Sequence, residues 1–197
     1  MQFSVIILAG GRASRFGSDK LLYEYKGKSM LERVAEAAVK SGAEEVIMTV
    51  KELKDDYEKI AKKLGIKVVM DSLKEFTPLA GLCRGAEAAK SPNVIVISGD
   101  SPLVSPEFFR TMNSYLEKIW TNAAVPLWPD GRVEVIHAGY KKEPLLDACK
   151  RMIKAGDYEV KRVLLYIKSV YLVPVEQVDK NSLLDVDSLD DLKNLEP

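Results

Sequence analysis

Gly10, Gly11, Arg12, Arg15, Gly17 and Lys20 place three glycines and three cations within eleven residues, directly after the apolar run Phe3 to Leu8. Glycine lets backbone approach a ligand closely and adopt positive φ, so successive N–H groups can converge on one concavity. The cations add fixed positive charge beside it. This combination suits a polyphosphate, and a nucleoside triphosphate is the ligand it fits. Spacing excludes two phosphate loops. Five residues separate Gly11 from Gly17 and no Gly-Lys-Ser/Thr follows, so there is no Walker loop; Gly10-Gly11 does not match the dinucleotide pattern Gly-x-Gly-x-x-Gly.

A second group is acidic. Asp100 closes the β-branched run Val94-Ile95-Val96-Ile97-Ser98-Gly99, where Gly99 leaves room beside it. A carboxylate there is placed to hold a divalent metal, since Mg²⁺ takes one or two carboxylates together with phosphate oxygens and water. Asp71 follows Val68-Val69-Met70 in the same manner, and Asp185 and Asp187 stand near the end of the chain. Asp187 is a candidate second metal ligand; turn or helix capping is the alternative role for each aspartate. Thr77-Pro78-Leu79-Ala80-Gly81-Leu82 reads as a helix start kept small, with free N–H groups and space for a flat ligand. His137, the only histidine, lies in an apolar stretch and reads as a core or edge-strand residue rather than a general base. No Ser/His/Asp or Cys/His set points to covalent acyl chemistry.

The elements that must position these groups alternate. Strands are predicted at 3–8, 45–50, 67–70 and 93–98, and helices at 29–41, 52–64, 79–89 and 106–119. Such alternation with short connectors predicts an α/β fold with a mostly parallel sheet and helices on both faces. In these sheets a ligand site collects at the carboxyl ends of the strands. The Gly-rich loop, Asp71 and Asp100 all follow strands and should therefore share one edge. The second half is less regular: strands at 123–127 and 132–140 joined through Pro129-Asp130-Gly131, helices at 144–155 and 158–167, a last strand at 170–175, and Ser188 as an N-cap.

Composition narrows the function further. The 197 residues are 47% hydrophobic and 29% charged with zero formal net charge. There is no global basic field for nucleic acid, so an anion site must be local. No run approaches the length needed to span a bilayer, and no secretory leader is legible, which predicts a cytoplasmic protein without membrane association. Cys83 and Cys149 lack metal-ligand spacing and are expected to be buried thiols. With no repeat or linker, one domain over 1–197 is expected, divided into a nucleotide-binding half of about 1–104 and an acceptor-binding half of about 105–197.

Leu8-Ala9-Gly10-Gly11-x-x-x-Arg15-x-Gly17-x-Asp19-Lys20, then Pro78-Leu79-Ala80-Gly81, then Gly99-Asp100-Ser101-Pro102, resembles the molybdenum cofactor guanylyltransferases in motif order and spacing over most of the chain. The opening motif belongs to the wider nucleotidyltransferase superfamily; pairing Leu-Ala-Gly-Gly with Pro-Leu-Ala-Gly narrows it, because cytidylyl relatives usually carry Leu-Ala-Ala-Gly. The resemblance implies a three-layer α/β/α Rossmann-like nucleotidyltransferase fold and Mg²⁺-dependent transfer of GMP from GTP to molybdopterin phosphate, releasing pyrophosphate. By the same resemblance, Leu8, Ala9, Gly10, Pro78, Leu79, Ala80 and Gly81 serve the guanine nucleotide, and Gly11 and Gly17 shape the phosphate loop. Arg15 and Lys20 bind the triphosphate, Asp71 belongs to the nucleotide segment, and Asp100 holds Mg²⁺. The expected protein is a monomer with GTP and molybdopterin as substrates and a transient molybdopterin-delivery partner. The family's Asn-x-Asn-x-Pro-Glu-Asp segment is replaced here by Asp185-Val186-Asp187-Ser188-Leu189-Asp190-Asp191. Aspartates occur there in cytidylyl and sugar-phosphate relatives, so cytidylyl transfer, or transfer to another phosphorylated acceptor such as cobinamide phosphate or a sugar phosphate, stays open beside a non-catalytic nucleotide-binding module.

Overall fold

The computed structural model describes residues 2–10, 19–71, 77–118, 120–188 and 190–191. Phe3–Leu8 forms the first strand (β1), and its alternating side chains enter two different cores. Val5 and Ile7 join one apolar cluster, Ile6 and Leu8 the other, which is why this strand is continuously hydrophobic. Burying a side chain of this size contributes roughly 1.5–3 kcal/mol.

The other expected strands of the first half are present as β4 (Glu45–Val50), β5 (Lys67–Met70) and β6 (Asn93–Ser98). A small hairpin, β2 (Glu24–Tyr25) with β3 (Lys28–Ser29), precedes helix α1 (Met30–Lys40) and was not legible in the sequence. Its turn places Lys26 and Gly27 at φ of 50° and 78°, the left-handed pair that tight hairpins require. Helices α2 (Asp55–Leu64), α3 (Pro78–Ala88) and α4 (Pro106–Lys118) alternate with the strands. They are followed by β7 (Ala123–Leu127), β8 (Ala138–Lys141), α5 (Lys142–Ala155), the short α6 (Val163–Tyr166) and β9 (Val170–Pro174).

The seven-stranded sheet runs β5-β4-β1-β6-β8-β7-β9, with β8 antiparallel to both neighbours and the remaining pairs parallel. Residues of α1, α2 and α4 fill the core on one face, and those of α3, α5 and α6 fill it on the other, giving the three layers expected. The chain leaves β1 toward β4 and β5, then returns to β6 on the other side of β1. That reversal opens a crevice at the carboxyl ends of β1 and β6, where α/β sheets bind ligands.

The structure corrects the reading of residues 132–140. Only Val133 makes an isolated antiparallel bridge, to Leu127; a turn carries the chain to β8, which starts at Ala138. Val133, Val135 and Ile136 are apolar, and Val135 and His137 are buried like the strand residues that follow, so hydropathy did not separate turn from strand. The expected helix over 158–167 is likewise divided into a 3-10 turn at Val160–Arg162 and the short α6. Cys83 and Cys149 are buried free thiols on the packed helices α3 and α5.

Helix α3 lies unusually close to the sheet. A Cβ on Gly81 would sit 2.7 Å from Thr49 Oγ1, and one on Gly85 would sit 2.4 Å from Ile6 Cγ2. Gly85→Ala is expected to lower stability: overpacking costs about 1–3 kcal/mol, while the helical preference for alanine returns at most about 1 kcal/mol. A urea midpoint at or above that of the parent would show that Ile6 yields without cost.

Candidate active site

At the crevice a cavity of about 460 Å³ is lined by Leu8 and Gly10 after β1, Thr49 on β4, Asp71 after β5, Thr77, Pro78 and Gly81 at the start of α3, and Ser98 and Asp100 at the end of β6. Ile136, Asp185 and Asp187 complete it from the second half of the chain. The strand-end rule thus brings together Gly10, Asp71 and Asp100. Leu79 and Ala80 are buried in α3, and Ala9 is buried with its N–H donating to Thr49 O at 2.8 Å; none of the three lines the cavity. Gly11, Arg12, Arg15 and Gly17 lie outside the described residues.

Lys20 is the centre of the charge arrangement. Its Nζ lies 2.6 Å from Asp100 Oδ2 and 2.9 Å from Asp187 Oδ1. Partial burial works against its charge, but Asp100 and then Asp187 outweigh that and hold its pKa above the ordinary lysine value. Asp19 positions Lys20: its carboxylate accepts from Leu21 N at 3.1 Å, capping a 3-10 turn, and from Lys54 Nζ at 2.6 Å and Tyr57 OH at 2.8 Å on the other oxygen. The loop's exit is therefore tied to α2.

Asp100 is held by a hydrogen bond from Ser98 Oγ, and its carbonyl accepts from Val186 N at 3.0 Å. Gly99 allows this crowding; its N–H donates to Leu8 O at 3.0 Å, and a Cβ there would meet that oxygen at 3.1 Å. Burial, then repulsion from Asp185, pushes the Asp100 carboxyl above its ordinary pKa, with Lys20 and Ser98 opposing. Asp185 moves the other way. Burial disfavours its charge, yet His137, through charge and hydrogen bonding, and Ser101 bring its carboxyl below the ordinary value. Asp71 pairs with Lys51 Nζ at 2.8 Å, so the side of the cavity at β4 and β5 carries a second, partly buried ion pair.

The reading of the sequence missed several of these groups. Lys51 directly follows β4, and the rule that selected Asp71 would have selected it too. Ser101 stands inside the Gly99-Asp100-Ser101-Pro102 motif without a role of its own, and His137 precedes a strand rather than following one. His137 is the core residue that one of its two readings expected, not an edge-strand one: it is fully buried, just before the interior strand β8, with Nε2 2.8 Å from Ser101 Oγ and 3.1 Å from Asp185 Oδ1. Lys141, at the end of β8, lies away from the site. It bonds Asn93 Oδ1 at 2.9 Å at the beginning of β6, about 16 Å along the strand from the site at 3.3 Å per residue. Arg132 stacks on Trp128 with its guanidinium 4.7 Å from the ring centre, and Asp130 caps the turn by accepting from Arg132 N at 3.0 Å. Ser188 caps as expected, its Oγ accepting from Asp191 N at 3.1 Å.

The donor set fits a divalent cation. Asp100 and Asp187 direct one oxygen each at a single cationic point, now the Lys20 ammonium, and both are hard oxygen ligands. Among the described residues no group of three or more His, Cys, Asp or Glu side chains is placed to hold a metal ion, and Mg²⁺ ordinarily adds phosphate oxygens and water to one or two carboxylates. No helix of the described residues is long and apolar enough to cross a membrane.

Comparison with known proteins agrees with this geometry. The chain is 35% identical over 194 residues to a protein of Thermococcus gammatolerans named "probable molybdenum cofactor guanylyltransferase", with 96% of each chain covered. It is 37% identical to a protein of the same name from Aquifex aeolicus, covering 96% of this chain and 88% of that one. Among solved structures, molybdopterin-guanine dinucleotide biosynthesis protein A of Archaeoglobus fulgidus shares the fold with a TM-score of 0.81 at 24% identity, over 98% of this chain and 96% of that one. With the family's sequence model matching residues 5–170, the chain belongs to the MobA-like NTP transferase domain family.

Proposed function

We propose that the protein transfers GMP from GTP to the phosphate of molybdopterin, forming the guanine dinucleotide and releasing pyrophosphate. The observation that carries this reading is the convergence of Lys20, Asp100 and Asp187 beside a cavity that Gly10, Thr49, Pro78 and Gly81 also line. The near full-length relatives named for that reaction support it. The nucleotide is assigned to the half formed by residues 1–104, and the acceptor to the half that follows.

The reaction needs little covalent help. A phosphate oxygen of the acceptor attacks the α-phosphorus in line with the departing pyrophosphate. Two anions must meet, and at roughly 4 Å two unit charges repel by about 4 kcal/mol at an effective dielectric of 20. Lys20, with Arg15, supplies charge that offsets this repulsion and steadies the leaving group. A phosphate monoester is already largely ionised near neutral pH, so no general base is required. Asp100 and Asp187 would hold the Mg²⁺ that the family implies. When bound there, that ion supplies charge neutralisation of the triphosphate. Asp71 and Lys51, a partly buried pair beside Gly10, shape the nucleotide side of the cavity.

Aspartate at both 185 and 187 favours a second reading, cytidylyl transfer, which the same cavity would perform. Triphosphate selectivity separates the two. GTP with Mg²⁺ is expected to raise the melting temperature; a ligand at one hundred times its Kd stabilises by about 2.7 kcal/mol. CTP is expected to shift it little. The reverse order would overturn the guanylyl assignment. Pyrophosphate release assayed with each of the four triphosphates, with and without molybdopterin, tests the whole proposal: release with GTP that requires molybdopterin is expected, and saturable binding without release would make the protein a nucleotide-binding module.

A further inference from the structure

We propose that His137 is a positioning residue for this transfer: together with Ser101 it clamps one oxygen of Asp185 and so fixes the Asp185–Asp187 segment against the strand end that carries Asp100. The inference rests on the assignment of the cavity as the transfer site.

The hydrogen positions follow from the partners. Ser101 Oγ donates to Asp185 Oδ1 at 2.6 Å, which commits its only proton. The contact of 2.8 Å between Ser101 Oγ and His137 Nε2 therefore needs its proton on Nε2, which also faces Asp185 Oδ1 at 3.1 Å. Ser101 thus donates to that carboxylate oxygen, and the His137 N–H stands behind it, bonded to Ser101 Oγ with the same Asp185 oxygen 3.1 Å away. Oδ2 has no donor among the described residues, and Asp185 lines the cavity. From there the chain is pinned again: Val186 donates its N–H to Asp100 O and is fully buried with Tyr25 and Met30, while Asp187 reaches Lys20. Three consecutive residues are locked across the end of β6.

Packing does not account for a histidine here. Its ring is fully buried, and Nδ1 has no hydrogen-bond partner among the described residues, an arrangement that costs stability. Leucine or phenylalanine would fill the same space without that cost. What they lack is the Nε2–H donor. Groups that hold metal-binding carboxylates in place matter through such orientation, and their loss typically weakens metal affinity or activity by about 10–100-fold; His137 acts on Asp187 through Asp185, two residues before it.

The test uses the full chain with Mn²⁺ and a non-hydrolysable GTP analogue, reading Mn²⁺ affinity by electron paramagnetic resonance and folding by melting temperature. His137→Leu is expected to weaken Mn²⁺ binding by about tenfold or more, while His137→Gln, which keeps a side-chain N–H, restores most of it. Ser101→Ala removes the second donor with minimal change in volume and serves where His137→Leu does not fold; it too is expected to weaken Mn²⁺ binding. Wild-type Mn²⁺ affinity in Ser101→Ala and in a folded His137→Leu, with only a lower melting temperature, would make the pair structural and overturn the proposal. The function is read separately in the unmodified protein. Mn²⁺ binding there with the CTP analogue instead of the GTP analogue overturns the guanylyl reading alone, since the variants are then compared with CTP; no Mn²⁺ binding with either analogue overturns both.

Discussion

Lys20→Ala is expected to lower the turnover of pyrophosphate release by about 10²–10³-fold, the usual consequence of deleting one electrostatic contact aimed at developing charge. The protein should still discriminate GTP from CTP, because Lys20 stands among carboxylates and is assigned to the phosphates rather than to a base. Two effects add in the variant. The triphosphate loses a cation, and Asp100 and Asp187 lose the ammonium that sits 2.6 and 2.9 Å from them. The uncompensated carboxylates then repel the substrate, so the KM for GTP should rise along with the fall in kcat. Lys20→Arg keeps the charge but replaces a compact ammonium with a planar fork, and should recover only part of the loss. Turnover in Lys20→Ala within a few-fold of the parent would remove Lys20 from the reaction.

Asp100→Asn should have an effect of similar size on turnover with the opposite sign on stability. The carboxylate is buried and stands near Asp185, and both facts raise its pKa. A carboxyl that binds its proton more tightly folded than unfolded contributes stability below its unfolded pKa, and that contribution is lost as pH rises through the raised value. At neutral pH the ionised group is thus a strain on the fold, relieved in part by Lys20 and Ser98. Asparagine has nearly the same shape, can still accept from Ser98 Oγ, and carries no charge to bury. Its melting temperature is expected to match or exceed that of the parent. Metal-dependent release should nevertheless fall by at least about 10²-fold, because a neutral amide is a poor ligand for a hard divalent cation. Unchanged dependence on Mg²⁺ concentration would mean that the ion binds elsewhere; a collapse in melting temperature would mean that Asp100 is structural.

These two residues were legible because each follows a strand of the parallel half. Once the apolar runs 3–8 and 93–98 are taken as strands in one parallel sheet, Lys20 and Asp100 must lie along the same edge. The capping role of Ser188 and the helix start at Thr77-Pro78 were equally open to view, since N-caps are local. Asp19 was visible only as part of a motif. Its use as a tie between the loop and α2 depends on Lys54 and Tyr57, two residues whose apposition to it comes from packing.

Periodicity within a few residues decides whether a segment is helix or strand, and for most of the first 120 residues that was enough to set the layers and the direction of the sheet. Strand direction in the second half is not a local property. β8 is antiparallel because of how it fits between β6 and β7, and this places its beginning, with His137, at the edge that carries the cavity while carrying Lys141 to the far end. Nor does sequence reveal which cavity Asp185 and Asp187 will reach from the end of the chain. That followed from Val186 being buried beside the hairpin and bonded to Asp100, a contact across 86 residues that only the packed chain can make.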